Sequence, residues 1–209
     1  MSYSKKINFN SFTINRVVGL LTVSDVFTWG GFYVVNSLVG IYLAGKLGEN
    51  VIEFVGIGSG IYFLTRGLLQ IPIGMIADRI KRDRDDIFFL VAGCVLMGLP
   101  YIFYPQIEGP TIYFVFQFIF GLGTSMNLVN WRKLFARNID PGKEGFQYGV
   151  YETVMSISTA VLTATGGLVA MLSPQFFDLV IVLSGITMMA GGVIGGLILV
   201  VDGRRTAKI

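Results

Sequence analysis

The chain has 209 residues, 53% of them hydrophobic and only 14% charged, with a formal net charge of +3. A water-soluble domain carries about 25% charged residues to cover its core, so soluble readings are excluded. Histidine is absent and Cys94 is the single cysteine, which removes histidine acid–base catalysis, histidine-containing zinc sites and any intrachain disulfide.

A bilayer core about 30 Å thick takes about 20 apolar residues as helix. Six stretches qualify in chain order: 17–44, 52–77, 87–105, 111–131, 146–172 and 177–201. The first follows Lys5 and Lys6 but is longer than the h-region of a cleaved signal, about 7–15 residues, and is kept as a helix. Gly48-Glu49-Asn50 separates the first two stretches, and Pro105 to Pro110 lies between the third and fourth. Asp140-Pro141-Gly142-Lys143 leads into the fifth. None of these connections holds a soluble domain, and the apolar runs are continuous, not alternating as a β-barrel requires. The expectation is an all-α membrane protein, residues 1–209 forming one domain of six transmembrane helices. Its 27 glycines suit helices that pack through small residues.

Orientation follows from Lys and Arg. With the N-terminus in the cytoplasm, Lys5, Lys6 and Arg16 lie inside, followed by Arg79, Lys81, Arg82 and Arg84. Arg132, Lys133, Arg137 and Lys143 join them, as do Arg204, Arg205 and Lys208 in the tail. Lys46 alone falls outside, and Arg66 lies within the membrane. The positive-inside rule therefore places both termini in the cytoplasm. The basic balance is a topology signal, and no nucleic-acid partner is expected.

An ionisable group deep in a span costs about 2.5–3.5 kcal/mol on insertion scales and so needs a reason. Asp25, Arg66 and Glu152 are the three such groups. At 1.5 Å per residue, Asp25 lies roughly 12 Å from the cytoplasmic end of its span and Arg66 roughly 17 Å, a difference that an arginine side chain covers. Each belongs to a stripe at helical spacing: Thr22, Asp25, Thr28 and Asn36; Ser59, Tyr62, Arg66 and Gln70; Glu152, Ser156, Thr159 and Thr163. Gln117, Thr124, Asn127 and Trp131 form a fourth stripe. Two readings are open, interhelical hydrogen bonds or the lining of a solute or proton pathway. The third and sixth stretches carry no charge within 87–105 and 179–201 and are expected to face lipid on most sides.

The second span ends in Gly74-Met75-Ile76-Ala77-Asp78-Arg79-Ile80-Lys81-Arg82. This resembles the signature of the major facilitator superfamily between its second and third helices, with Gly74, Asp78, Arg79 and Arg82 matching. Lys81 stands where the pattern has a second glycine and Asp83 where it has a basic residue. Gly121-Leu122-Gly123 is similar to the family's glycine-rich fourth helix, and the stretch from Pro141 to Gly149 to its entry into the fifth. The antiporter pattern of the fifth helix is absent.

The resemblance implies one six-helix half of a fold built from two, with the first and fourth helices lining a cavity and Gly74, Asp78, Arg79 and Arg82 forming a cytoplasmic gating motif. It further implies a multi-pass protein of the cell (inner) membrane that moves a small solute by alternating access, as a parallel homodimer of halves in the lipid bilayer. Asp25 is the candidate proton or cation site, with Arg66 its partner or an anion-binding group. Asn36, Gln117, Asn127, Trp131 and Glu152 are candidate cavity contacts. No cofactor, metal or catalytic residue is expected: a serine site at Gly58-Ser59-Gly60 would need a histidine. A non-transporting scaffold, or a subunit pairing with a different half, is the alternative.

Overall fold

The computed structural model describes residues 14–79 and 83–200. Six α-helices account for most of them: α1 (Arg16–Leu47), α2 (Val51–Arg79), α3 (Asp83–Phe103), α4 (Pro110–Asn138), α5 (Glu144–Ala170) and α6 (Pro174–Gly196). By length and apolarity, five continuous helical stretches are able to cross a membrane, and the first of these, Arg16–Arg79, contains both α1 and α2. A 3-10 turn at Gly48–Asn50 divides that stretch, where Gly48 has φ 71°, a conformation that suits a residue without Cβ.

Local chemistry explains the helix ends. Asn15 caps α1 by accepting from the Val17 amide at 2.9 Å, and Ser173 caps α6 by accepting from the Phe176 amide at 3.3 Å. Pro110 and Pro174 occupy first-turn positions, where a missing N–H costs nothing. The expected stretches 111–131 and 177–201 differ most from the helices. α4 runs on to Asn138 because Lys133 and Arg137 are good helix formers whose charge favours a helix C-terminus. α6 starts three residues early, at its serine cap.

Close glycine contacts set the packing. A Cβ on Gly93 of α3 would lie 2.8 Å from the Gly123 carbonyl of α4, and one on Gly123 would lie 2.8 Å from the Gly93 carbonyl. Gly185 of α6 meets Gly98 of α3 in the same way, and Gly191 of α6 meets the Ser24 carbonyl of α1. These pairings fix directions. Residues 90, 94 and 98 of α3 match 195, 192 and 185 of α6, so the two are antiparallel; α1 is antiparallel to α6 and α4 to α3 on the same grounds, while α2 runs parallel to α4 and α5 parallel to α1. Successive helices therefore alternate in direction, which brings Arg16, Arg79, Asn138 and Glu144 to one end.

The helices form an open arc in the neighbour order α2–α4–α3–α6–α1–α5. The expectation that α3 and α6 face lipid on most sides is corrected here. They occupy the middle of the arc and bury Leu90, Cys94, Met97, Ile181 and Met188 completely. Their lack of charge reflects seams of glycine and apolar side chains on two flanks. The least covered helices are α2 and α5 at the arc's tips, where Ile52, Leu68, Ile157 and Leu168 are all more than half exposed.

At the end that carries Arg79, Lys133 of α4 joins three helices. Its Nζ donates to the Ala77 carbonyl in the last turn of α2 and to Asp86 Oδ1 of α3 at 2.8 Å. Arg137 Nη1 reaches Asp86 Oδ2 at 3.5 Å. Asp86 is buried and stands in the first turn of α3, where a negative charge is favoured. At the opposite end, Tyr42 donates to Asp178 at 2.5 Å, tying α1 to α6.

Candidate functional site

The concave side of the arc holds a cavity of about 1060 Å³ lined, among the described residues, by α1, α2, α4 and α5. Asp25, Asn36, Arg66, Trp131 and Glu152, five of the seven candidate binding residues, lie on its wall. The charges are segregated: Asp25 and Glu152 stand on α1 and α5, and Arg66 and Arg132 on α2 and α4. Aromatic rings fill much of the surface between, including Trp29, Phe32 and Tyr33 of α1 and Tyr62 of α2.

Asp25 is 2% exposed. Its Oδ2 accepts a hydrogen bond from the Tyr151 hydroxyl of α5 at 2.8 Å, whereas Oδ1 has no partner. Tyr151 is fixed by its neighbours. Its ring lies 4.8 Å from that of Trp131 and 5.4 Å from that of Phe135, and Trp131 Nε1 donates to the Leu21 carbonyl one turn before Asp25. The contact joins α1, α4 and α5 around one carboxylate.

Asp25 and Arg66 share the cavity, but no salt bridge joins them. Arg66 Nη1 donates instead to the Tyr62 hydroxyl at 3.2 Å, and its guanidinium sits 6.0 Å from the Tyr62 ring centre. Both bonds run within α2, which holds the arginine on the basic wall. One oxygen of the carboxylate is held from the opposite side by Tyr151.

Gln117 and Asn127 are corrected as cavity contacts. Gln117 Nε2 donates to the Tyr104 hydroxyl at 3.2 Å, and Asn127 Nδ2 donates to Cys94 Sγ at 3.3 Å. Both amides turn toward the α3 side, because the Gln117–Asn127 stripe includes the face that α4 lays against Gly93. Thr28 likewise leaves the Asp25 face and shares a hydrogen bond with Cys94 at 3.4 Å. Of the α5 stripe, Glu152, Ser156 and Thr159 line the cavity, while Thr163 bonds back to the Thr159 carbonyl at 2.6 Å.

Tyr151 and Arg132 are among the wall residues that the sequence did not single out as cavity contacts. Tyr151 gives no signal in an apolar helix, although it stands beside Glu152. Arg132 was counted as a cytoplasmic-turn charge, yet its place one residue past Trp131 puts it on the same wall.

The gating motif is described in part. Asp78 and Arg79 are exposed and form no ion pair among the described residues; Arg82 lies outside the described residues. A Cβ at Gly74 would meet Val129 at 3.8 Å, an ordinary contact, so close helix approach does not require this glycine.

Comparison with known proteins adds the family. The model of the Major Facilitator Superfamily matches residues 21–209, and no curated protein and no solved structure matched the chain. The match takes in α2 to α6 and all of α1 after its first residues, with both the glycine-packed arc and the cavity, and on that ground the chain belongs to the major facilitator superfamily, a family of membrane transporters.

Proposed function

We propose that the protein is a secondary-active transporter that carries a small solute across the cell (inner) membrane by alternating access. In this reading all six helices cross the bilayer, and the end carrying Arg16, Arg79 and Asn138 is cytoplasmic, as the placement of the basic residues requires. Asp25 is the coupling site for a proton or cation. The observation that carries the reading is the cavity of about 1060 Å³, with one acidic and one basic wall, inside an arc whose outer surface is apolar. Intramembrane ionisable groups facing a cavity mark solute and ion pathways.

The cavity is open between α2 and α5. A second copy, related by a two-fold axis along the membrane normal, closes it and covers the exposed apolar faces of both helices. Rocking of the two units about that axis then exposes the cavity to each side in turn. The segregated walls give the cavity no net preference for either sign of charge.

The test is uptake into proteoliposomes by purified wild-type and Asp25→Asn protein, screened with labelled solutes under imposed proton and cation gradients. Concentrative uptake by the wild type, reduced in the variant to exchange without accumulation, supports the reading. Equal accumulation by both overturns Asp25 as coupling site. Absence of flux for every solute overturns transport in favour of a non-transporting subunit.

A further inference from the structure

We propose, on the reading of this cavity as the transport site, that the space between Glu152 and the arginines Arg66 and Arg132 binds a zwitterion. The solute class is a small molecule with a free ammonium at one end, a free carboxylate at the other and an apolar body between them, an amino acid or a short peptide.

Glu152 of α5, Arg66 of α2 and Arg132 of α4 line the same cavity. Glu152 and Arg132 are exposed and Arg66 is half-buried. Among the described residues none of the three takes part in an ion pair. Arg66 donates to the Tyr62 hydroxyl at 3.2 Å, a neutral group that leaves its charge unmatched. Asp25, the other acid on the wall, is 2% exposed and bonded to Tyr151. Glu152 is therefore the acid that a solute meets.

Contacts between helices fix the levels of these charges. The Trp131 and Tyr151 rings lie 4.8 Å apart, and Arg132 and Glu152 each follow by one residue, so they stand level on facing walls. Ser125 of α4 donates to the Arg66 carbonyl at 3.1 Å, which sets Arg66 level with Ser125. Seven residues separate Ser125 from Arg132, about 10 Å along the helix axis. The two arginines thus mark two distances from one carboxylate.

Charges placed within a membrane protein ordinarily pair with one another. Here both signs share one cavity and stay apart, and a solute carrying both signs matches both walls at once. An anion alone leaves Glu152 unmatched, and a cation alone leaves the arginines so. Each guanidinium offers a planar fork suited to a carboxylate. Tyr148 lies one turn before Glu152 and lines the cavity with it, and an aromatic face there favours an ammonium. Trp29, Phe32 and Phe63 supply apolar wall for the body of the solute. A single amino acid uses Arg132, level with Glu152, whereas three extended residues span about 10 Å and reach Arg66.

The experiment is calorimetric titration of the purified full chain in mild detergent with leucine and with trialanine. N-acetylated and C-terminally amidated forms of each are titrated beside them. Saturable binding of at least one free probe is expected, weakened about 10-fold or more by blocking either end, the size of a lost hydrogen bond to a charged group. Glu152→Gln is expected to abolish the preference for a free over an acetylated amine. Arg132→Gln abolishes the preference for a free carboxylate if the ligand is leucine, and Arg66→Gln does so if it is trialanine. Thr165→Ala, on α5 outside the cavity, leaves both preferences intact. If Arg66→Gln fails to fold, Arg66→Lys is measured in its place and is expected to weaken the carboxylate preference. Absence of saturable binding by either probe, equal affinity for free and blocked forms, or preferences unchanged in all the site variants overturns the zwitterion site. Uptake of another solute by a chain that binds neither probe overturns this inference alone. A probe that binds saturably in a chain that carries no solute overturns the transport reading alone.

Discussion

Asp25 and Tyr151 join α1 to α5 on the acidic wall of the cavity. Among the described residues the Tyr151 hydroxyl is the one hydrogen-bond donor to the Asp25 carboxylate, so Tyr151→Phe leaves both oxygens without a partner there. The expected cost is about 1–3 kcal/mol, the penalty for a buried polar group left unmade. It is read as a lower unfolding midpoint, accompanied by altered ion dependence of transport. An unchanged midpoint would remove Tyr151 from the account. Asp25 and Arg66 were legible in the sequence because charges within long apolar runs demand explanation. The pairing expected between them does not form; depth along two helices leaves rotation about each axis undetermined. The same limit explains Gln117 and Asn127: spacing of three and four places them on one stripe but does not say which neighbouring helix the stripe meets.

Among the helices, the sequence showed that glycine would matter without showing which contacts it serves. A Cβ on Gly121 of α4 would lie 2.9 Å from the Tyr62 carbonyl of α2, whereas one on Gly123 would meet Gly93 of α3; two residues apart, they serve opposite neighbours. Gly123→Ala forces a Cβ to within 2.8 Å of a backbone carbonyl that no rotamer change relieves. A loss of about 1–3 kcal/mol is expected, the usual cost of overpacking, and detergent unfolding measures it. A second expectation concerns Lys133→Ala, which unties α2 from α3 and leaves Asp86, buried at 1% exposure, with the more distant Arg137. Removing one partner of a buried pair costs about 3–5 kcal/mol, and the remaining arginine brings the expected value to the low end. The variant should therefore unfold earlier than Arg137→Ala does, and the reverse order would contradict the geometry. The lipid-facing assignment of α3 and α6 failed because an absence of charge describes a helix in lipid and a helix packed on two flanks equally well.

At the scale of the whole molecule, six apolar runs and one basic face foretold alternating helices. The open arc depended on long-range glycine contacts that no single stretch encodes. The uncovered tips of that arc make assembly testable. Leu64 of α2 and Val161 of α5 are 66% and 57% exposed and lie at similar distances from the end that carries Arg79 and Glu144, roughly 22 and 25 Å at 1.5 Å per residue. Cysteines at these two positions are expected to crosslink one chain to another in the membrane; crosslinking only through exposed residues of α3 or α6, such as Phe88 or Leu183, would contradict the α2–α5 dimer. The central claim, that the cavity is offered to each side of the membrane in turn, is tested most directly by accessibility at Ser156, which lines it. The native Cys94 is fully buried and stays silent, so Ser156→Cys reports alone. In sealed vesicles of known orientation, a membrane-impermeant maleimide should label Ser156→Cys from the inside and from the outside in separate experiments. Labelling confined to one side under every ion and solute condition would contradict the account.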